Sequence, residues 1–376
     1  MRRDGKRRTA GSSGELENEN RVSDRTAEAL WELSVLRGAV TCLAAATLGL
    51  LAACGGSTPQ GPAASSAKDR GILFSSKRDG DFDIYVMDAD GSNVRQLTRN
   101  ASKGENEADD GSPSWSPDGQ RIAFTSTRDH EGDGFESEEL YVMAADGDGQ
   151  TRLTENKSGE GGPNWSPDGE WLLFARRAME QPATEEEALK FKLELMRTDG
   201  SETKTLFEPE ALLVTGASWS PDGKELAFTG CEIVERQLDC EVWVANADGS
   251  DGKKLTDGHG RSAGPAWSPD GGRIAFSSDR DMNGDCFFHD CTGWNGEIYV
   301  MNADGSDPRR FTDDPGDDTS PTWSPDGTRI AFAALRNVEG GVDDPSENYE
   351  IYVMDDDGSD LVQLTKNTSW DWQPDW

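Results

Sequence analysis

Acidic side chains at cation-ligand spacing are the first chemistry this chain offers. Asp279-x-Asp281-x-Asn283-Gly284-Asp285 alternates oxygen ligands and places Gly at the sharp turn, as a Ca²⁺ loop of the Asp-x-Asp-x-Asn-Gly type does. Asp290 stands at the twelfth position, where a helix–loop–helix calcium site carries Glu, and no flanking helices are expected. A looser version runs Asp129-x-Glu131-x-Asp133-Gly134, with Glu136, Glu138 and Glu139 beyond it. Calcium is the one cofactor these loops raise. The competing reading is an acidic, solvated loop in a chain with 72 Asp and Glu against 37 Lys and Arg.

Other reactive residues are sparse. Four cysteines form two pairs close in sequence, Cys231/Cys240 and Cys286/Cys291, each within one inter-strand segment; three connectivities exist, and closeness favours two local disulfides in an oxidising compartment. A zinc site is the rival, with only His289 nearby. The three histidines, His130, His259 and His289, fall in predicted loops. There is no Gly-x-Ser-x-Gly, His-Glu-x-x-His, P-loop or Gly-x-Gly-x-x-Gly, so the enzymatic signal is thin. Trp294, Trp370 and Trp372 lie in predicted loops, where they would form an aromatic platform for a sugar or peptide, or pack at a rim.

The elements that position these groups come from a repeat. Trp-Ser-Pro-Asp-Gly recurs at 115–119, 165–169, 219–223, 267–271 and 323–327, with Trp-to-Trp steps of 50, 54, 48 and 56 residues. Self-similarity at this period marks a propeller, solenoid or array. Pro, Asp and Gly are turn residues, and Gly can take the left-handed conformation that closes a hairpin. An apolar triplet follows each turn (Ile122–Phe124, Leu172–Phe174, Leu226–Phe228, Ile274–Phe276, Ile330–Phe332). A second apolar block comes next, such as Leu140–Met143 or Ile298–Met301, then an Asp-Gly turn and a short strand closing on Leu-Thr or a variant. The third unit departs, with Leu206-Phe207 at the close. Four short antiparallel strands per unit make the blade of a β-propeller.

The ends set the blade count. Ile72-Leu73-Phe74 opens a unit with no Trp strand before it, and Pro374-Asp375-Trp376 is a Trp strand with nothing after it, 53 residues beyond Trp323. The expected fold is therefore all-β: a six-bladed β-propeller of four-stranded antiparallel blades over 71–376, closed by pairing its N- and C-terminal strands. The pattern Pro-x-Trp-Ser-Pro-Asp-Gly…Ile-Ala-Phe…Ile-Tyr-Val-Met-x-x-Asp-Gly…Leu-Thr resembles the WD40-like propeller repeat of the TolB family. That resemblance implies the propeller fold over residues 71–376 and says little about function.

Ahead of the repeats, residues 38–53 form an uncharged apolar run preceded by Arg37, and 1–53 read as a signal region, with 1–36 a mis-assigned start. The run ends in Leu51-Ala52-Ala53-Cys54, which resembles the lipobox of bacterial lipoproteins and would make the Cys54 thiol the lipid acceptor. Residues 54–70 then carry the lipidated cysteine and a flexible tether. An ordinary signal peptide is the competing reading.

Net charge is −35, and because residues 1–53 hold eight Lys/Arg against seven Asp/Glu, the remainder carries −36. Such a surface disfavours nucleic acid and anionic headgroups, and it attracts cationic ligands, basic protein patches or Ca²⁺. Within each unit the tight turns share one face of the disc, whereas the second-to-third-strand connections (77–83, 127–139, 176–192, 230–241, 278–297, 334–350) vary and share the other. Binding belongs on a variable face held by a rigid scaffold. The expected molecule is a lipoprotein facing the periplasm or cell surface that binds an envelope protein or glycan and touches the membrane through its anchor. The alternatives are a Ca²⁺-dependent carbohydrate-binding or sensory protein, and a cryptic polysaccharide hydrolase or lyase.

Overall fold

The computed structural model describes residues 70–99, 108–129, 138–156, 158–177, 191–207, 213–234, 237–258, 260–281, 296–314, 316–335 and 348–376. Among them are 24 strands in six four-stranded antiparallel sheets, and no helix. The first sheet contains β1 (Ile72–Ser76), β2 (Asp83–Met87) and β3 (Arg95–Gln96). The second is β4 (Asp110–Trp115), β5 (Arg121–Ser126), β6 (Glu139–Ala144) and β7 (Thr151–Arg152). The third runs β8 (Glu160–Trp165), β9 (Trp171–Arg177), β10 (Phe191–Arg197) and β11 (Thr203–Phe207). In the fourth lie β12 (Leu213–Trp219), β13 (Glu225–Val234), β14 (Gln237–Asn246) and β15 (Lys253–Lys254). The fifth comprises β16 (Ser262–Trp267), β17 (Arg273–Ser278), β18 (Glu297–Asn302) and β19 (Arg309–Arg310). The sixth is β20 (Asp318–Trp323), β21 (Arg329–Ala334), β22 (Glu350–Asp355) and β23 (Val362–Gln363). The last strand, β24 (Asp371–Asp375), returns to the first sheet, where Ser75 faces Trp372 and Ser76 faces Asp371. The ring is six-bladed and closed by its two ends, as the repeat arithmetic requires.

Each Trp-Ser-Pro-Asp-Gly segment folds the same way. Ser116 Oγ donates to Asp118 Oδ1 (2.6 Å) and accepts from the Arg121 N–H (2.9 Å), while Gly119 takes φ 67° and donates its N–H to the Ser116 carbonyl (2.8 Å). The Asp and Ser side chains thus satisfy backbone groups that a two-residue turn leaves open. These short bonds hold the exposed Asp118 carboxyl below its usual range, chiefly through Ser116.

The Trp strands are the inner edges, touching one another around the ring in the order β4, β8, β12, β16, β20, β24 and back to β4. Each carries a bulge, with a left-handed residue at its centre: Ser112, Gly162, Gly216, Gly264, Ser320 and Gln373, at φ 49–62°. The core lies between blades. Leu73, Ile84 and Leu97 of the first blade pack on Trp115, Ile122, Phe124 and Tyr141 of the second. The central phenylalanines, Phe74, Phe124, Phe174, Phe228, Phe276 and Phe332, are at most 2% exposed. Burying a side chain of that size stabilises by about 1.5–3 kcal/mol, so the inter-blade seams dominate the stability of the ring.

Two sequence readings are corrected here. Residues 230–234 and 237–241 are strand and not loop: β13 and β14 continue in register through Cys231↔Cys240 to Val234↔Gln237, and the disulfide Cys231–Cys240 clips two paired strands. Trp372 is likewise not in a loop, because it belongs to β24 and is 8% exposed.

Candidate functional site

The loop-bearing face is built from a motif that recurs at the ends of the second strands: Phe74-Ser75-Ser76-Lys77-Arg78-Asp79, Phe124-Thr125-Ser126-Thr127-Arg128-Asp129 and Phe276-Ser277-Ser278-Asp279-Arg280-Asp281. In each, the Arg folds back over the aromatic rings of its blade. Arg128 lies 5.4 Å from the Phe124 ring and 5.0 Å from Tyr141, and Arg78 and Arg280 repeat this over Phe74/Tyr85 and Phe276/Tyr299. Arg128 Nη2 donates to both oxygens of Asp110 (2.8 and 2.7 Å), and Arg78 Nη2 does so to Asp371 (3.0 and 2.9 Å). Asp110 and Asp371 are fully buried, so these charges are desolvated and matched. The motif was readable from its recurrence in register with the apolar triplets; no single copy announces it.

A second recurring unit joins the third and fourth strands. The hydroxyls of Thr98, Thr154, Thr256, Thr312 and Thr365 accept the N–H of Ile84, Leu140, Val242, Ile298 and Ile351 at 2.8–3.0 Å. That is why each unit closes on Leu-Thr. Phe207 replaces Thr in the third blade and packs on Phe228 of the fourth at 5.7 Å instead. Beside the threonines lie buried acids. Thr98 donates to Asp83 (3.0 Å), Thr154 to Glu160 (3.1 Å) and Thr312 to Glu297 (2.7 Å).

At four seams the acid opening a third strand meets the acid opening the next blade's first strand: Asp83 with Asp110, Glu139 with Glu160, Glu297 with Asp318, and Glu350 with Asp371. The N–H of the second acid donates across each seam to the residue preceding the first: Phe82, Glu138, Gly296 and Tyr349, at 2.7–3.0 Å. Burial, then Asp110, raises Asp83 to about 7. Burial, then Glu139, holds Glu160 above the carboxylate range, with Arg176 opposing. Burial raises Asp317 to about 7 and Asp375 to about 6, the latter against Arg70. Repetition of the acid pairs at four seams marks them as architectural.

The predicted site residues fall only partly within the described residues. Asp279 Oδ1 accepts from the Arg261 N–H (2.5 Å) and its Oδ2 from Arg261 Nε (3.0 Å). Asp281 accepts from the Tyr299 hydroxyl and lies 3.7 Å from Arg310. Asp129 accepts from Tyr141 in the same way. Asn283, Asp285, Asp290 and Trp294 lie outside the described residues, as do Glu131, Asp133, Glu136, the three histidines, Cys54, Cys286 and Cys291. Among the described residues no three His, Cys, Asp or Glu side chains converge as a metal site. Trp370 and Trp372 do come together, stacked at 6.1 Å with Tyr349 edge-on to Trp372 at 4.2 Å; Trp370 is 40% exposed and sits at the start of the closing strand.

Known proteins place this ring. Residues 179–342 match the TolB β-propeller domain model. An uncharacterised protein of Agrobacterium fabrum is 29% identical over 167 residues, covering 42% of this chain and 50% of that one. The chain spans half or less of the length of the relatives it matches in sequence. A putative TolB from Agrobacterium tumefaciens superposes with a TM-score of 0.54 at 22% identity, covering 79% of this chain and 88% of the other. TolB from Acinetobacter baumannii gives 0.59 at 18%, covering 82% and 66%. The domain match over residues 179–342, these neighbours and the closed ring of six four-stranded blades give the chain a TolB-like β-propeller fold.

Proposed function

We propose that the protein is a lipid-anchored, extracytoplasmic propeller that acts as a non-catalytic binding scaffold for an envelope protein or glycan. The observation that carries this reading is the inequality of the two faces. One face repeats the same Ser-Pro-Asp-Gly turn, with Gly φ of 67–71° in all five copies. The opposite face has connections of different length and one hairpin extended and clipped by a disulfide. A rigid ring with one uniform and one varied face is organised for recognition on the varied side. The Cys231–Cys240 bond supports an oxidising compartment and, with it, an extracytoplasmic location.

The test is capture from solubilised envelope on the full chain and on two double variants. Glu155→Lys with Lys366→Glu alters exposed residues of the loop-bearing face, and Gln120→Lys with Thr328→Lys alters exposed residues of the turn face. The captured partner is expected to be lost with the first pair and kept with the second; equal capture by all three proteins refutes the reading. The anchor is tested separately. Cys54→Ser is expected to move the protein from the membrane to the soluble fraction, and unchanged partitioning removes lipidation from the proposal.

A further inference from the structure

Five indole rings of this propeller are capped by its own cations. Arg121 lies over Trp165 (4.5 Å), Arg273 over Trp323 (4.6 Å) and Arg329 over Trp376 (4.5 Å). Arg197 and Lys204 both cover Trp171 (4.4 and 4.1 Å), and Lys254 covers Trp243 (5.5 Å). In a chain of net charge −35 the cations are the scarce partner, yet they are placed on these rings.

Trp370 differs from these five in its exposure. It is the exposed aromatic among the described residues, at 40%, and it belongs to the loop-bearing face. Its ring lies 6.1 Å from Trp372 with 20° between planes and 5.5 Å from Tyr349 at 55°, and no cation is placed over it among the described residues. The ring is held in place from below. Lys77 donates its N–H to the Trp370 carbonyl (3.0 Å), and Asn348 Nδ2 donates to the carbonyls of Asn367 (3.1 Å) and Ser369 (2.8 Å). Tyr349, packed against both tryptophans, donates its hydroxyl to Asp317 (2.5 Å), which also accepts the Gly296 N–H (2.8 Å). An aromatic face fixed this way loses little freedom when a ligand lands on it.

We propose that Trp370 is the docking point for an arginine or lysine side chain presented by a protein partner, which supplies the cap that five other indoles take from the propeller itself. The proposal rests on the scaffold reading above and names its partner's chemistry. A cation gains twice here, from the ring and from the field of an acidic protein. A neutral sugar gains from the ring alone, and an anion is repelled.

The experiment is an NMR titration of the full chain, following indole N–H signals, with Trp370 assigned through Trp370→Phe. The probes are a short acetylated Gly-Arg-Gly-Arg-Gly amide, its Glu counterpart, and cellotetraose. The Arg peptide is expected to shift the Trp370 signal selectively, and Trp370→Ala to weaken its binding roughly three- to tenfold. Trp370→Phe retains part of the affinity, which separates loss of the ring from loss of the fold. A Trp370 shift with cellotetraose and none with the Arg peptide replaces the proposal with a saccharide platform. Undiminished binding of the Arg peptide to Trp370→Ala reduces it to diffuse attraction and overturns it. If the face variants above abolish capture while Trp370→Ala does not, the scaffold reading stands and this inference fails.

Discussion

Deleting β24 is expected to abolish the cooperative unfolding transition of the ring. This strand is the inner strand of the first blade, supplied by residues about 300 positions away from its partner β1. Its Trp372 and Trp376 are 8% and 4% exposed and share one core cluster with Ile72, Phe74, Tyr85, Ala331 and Ile351, so they bridge the first and last blades. Truncating a buried Trp costs about 3–5 kcal/mol. Losing Asp371 strands the Arg78 guanidinium, and losing Asp375 frees the Trp115 N–H that it accepts at 2.7 Å. Removing one member of a buried ion pair adds about 3–5 kcal/mol. Together these reach the whole stability of an ordinary domain, about 5–15 kcal/mol. A chain ending at Trp370 should therefore melt without a sharp transition and exchange the amides of β1 and β20 rapidly. A sharp transition near the melting temperature of the full chain would show that the ring does not depend on this latch.

Stability should fall as pH rises from about 5 to about 8. Asp83 and Asp317 are raised to about 7 and Asp375 to about 6, with burial the main cause in each, and Glu160, Glu241 and Glu350 are raised in the same direction by burial. A carboxyl raised on folding holds its proton better in the native state. Its contribution is complete below the unfolded value of about 4 and is lost as pH climbs through the folded value. Self-repulsion at −35 acts in the same sense. The turn aspartates, such as Asp118 and Asp168, are lowered by their Ser partners, so they withdraw stability only at lower pH. A maximum near pH 5 follows, with a melting temperature roughly 5–10 °C above that at pH 8 if a few kcal/mol are at stake. Asp83→Asn, which keeps an acceptor for Thr98, should flatten part of this slope. A melting temperature constant between pH 5 and 8 would mean the buried acids are compensated across the seams.

Much of the fold was legible because the unit repeats. Five copies of Trp-Ser-Pro-Asp-Gly specify a turn through local hydrogen bonds, and a local turn needs nothing from the rest of the molecule. Closure was legible too, since a missing first strand and a surplus last one have a single complementary solution. The disulfide partner of Cys231 was legible from proximity, but not the strands that carry it, because a pairing that outruns the other blades has no signature beyond a few β-prone residues. Asp279 and Asp281 stand at ligand spacing and are hydrogen-bonded to Arg261 and Tyr299, while Asn283, Asp285 and Asp290 of that loop lie outside the described residues. Spacing along the chain says which oxygens are near each other, and not which neighbours reach them first.

By itself, then, the sequence determined the blade, its turns, their number and the ring that they close, since each rests on short-range backbone chemistry multiplied by repetition. Only the tertiary structure decided what the polar residues do. It brought Arg78 to Asp371 across 293 positions, paired acids such as Asp83 and Asp110 from successive blades, and left the Trp370 indole exposed. Those outcomes depend on contacts between blades, where burial sets the strength of every charge and no local pattern records who the neighbour is.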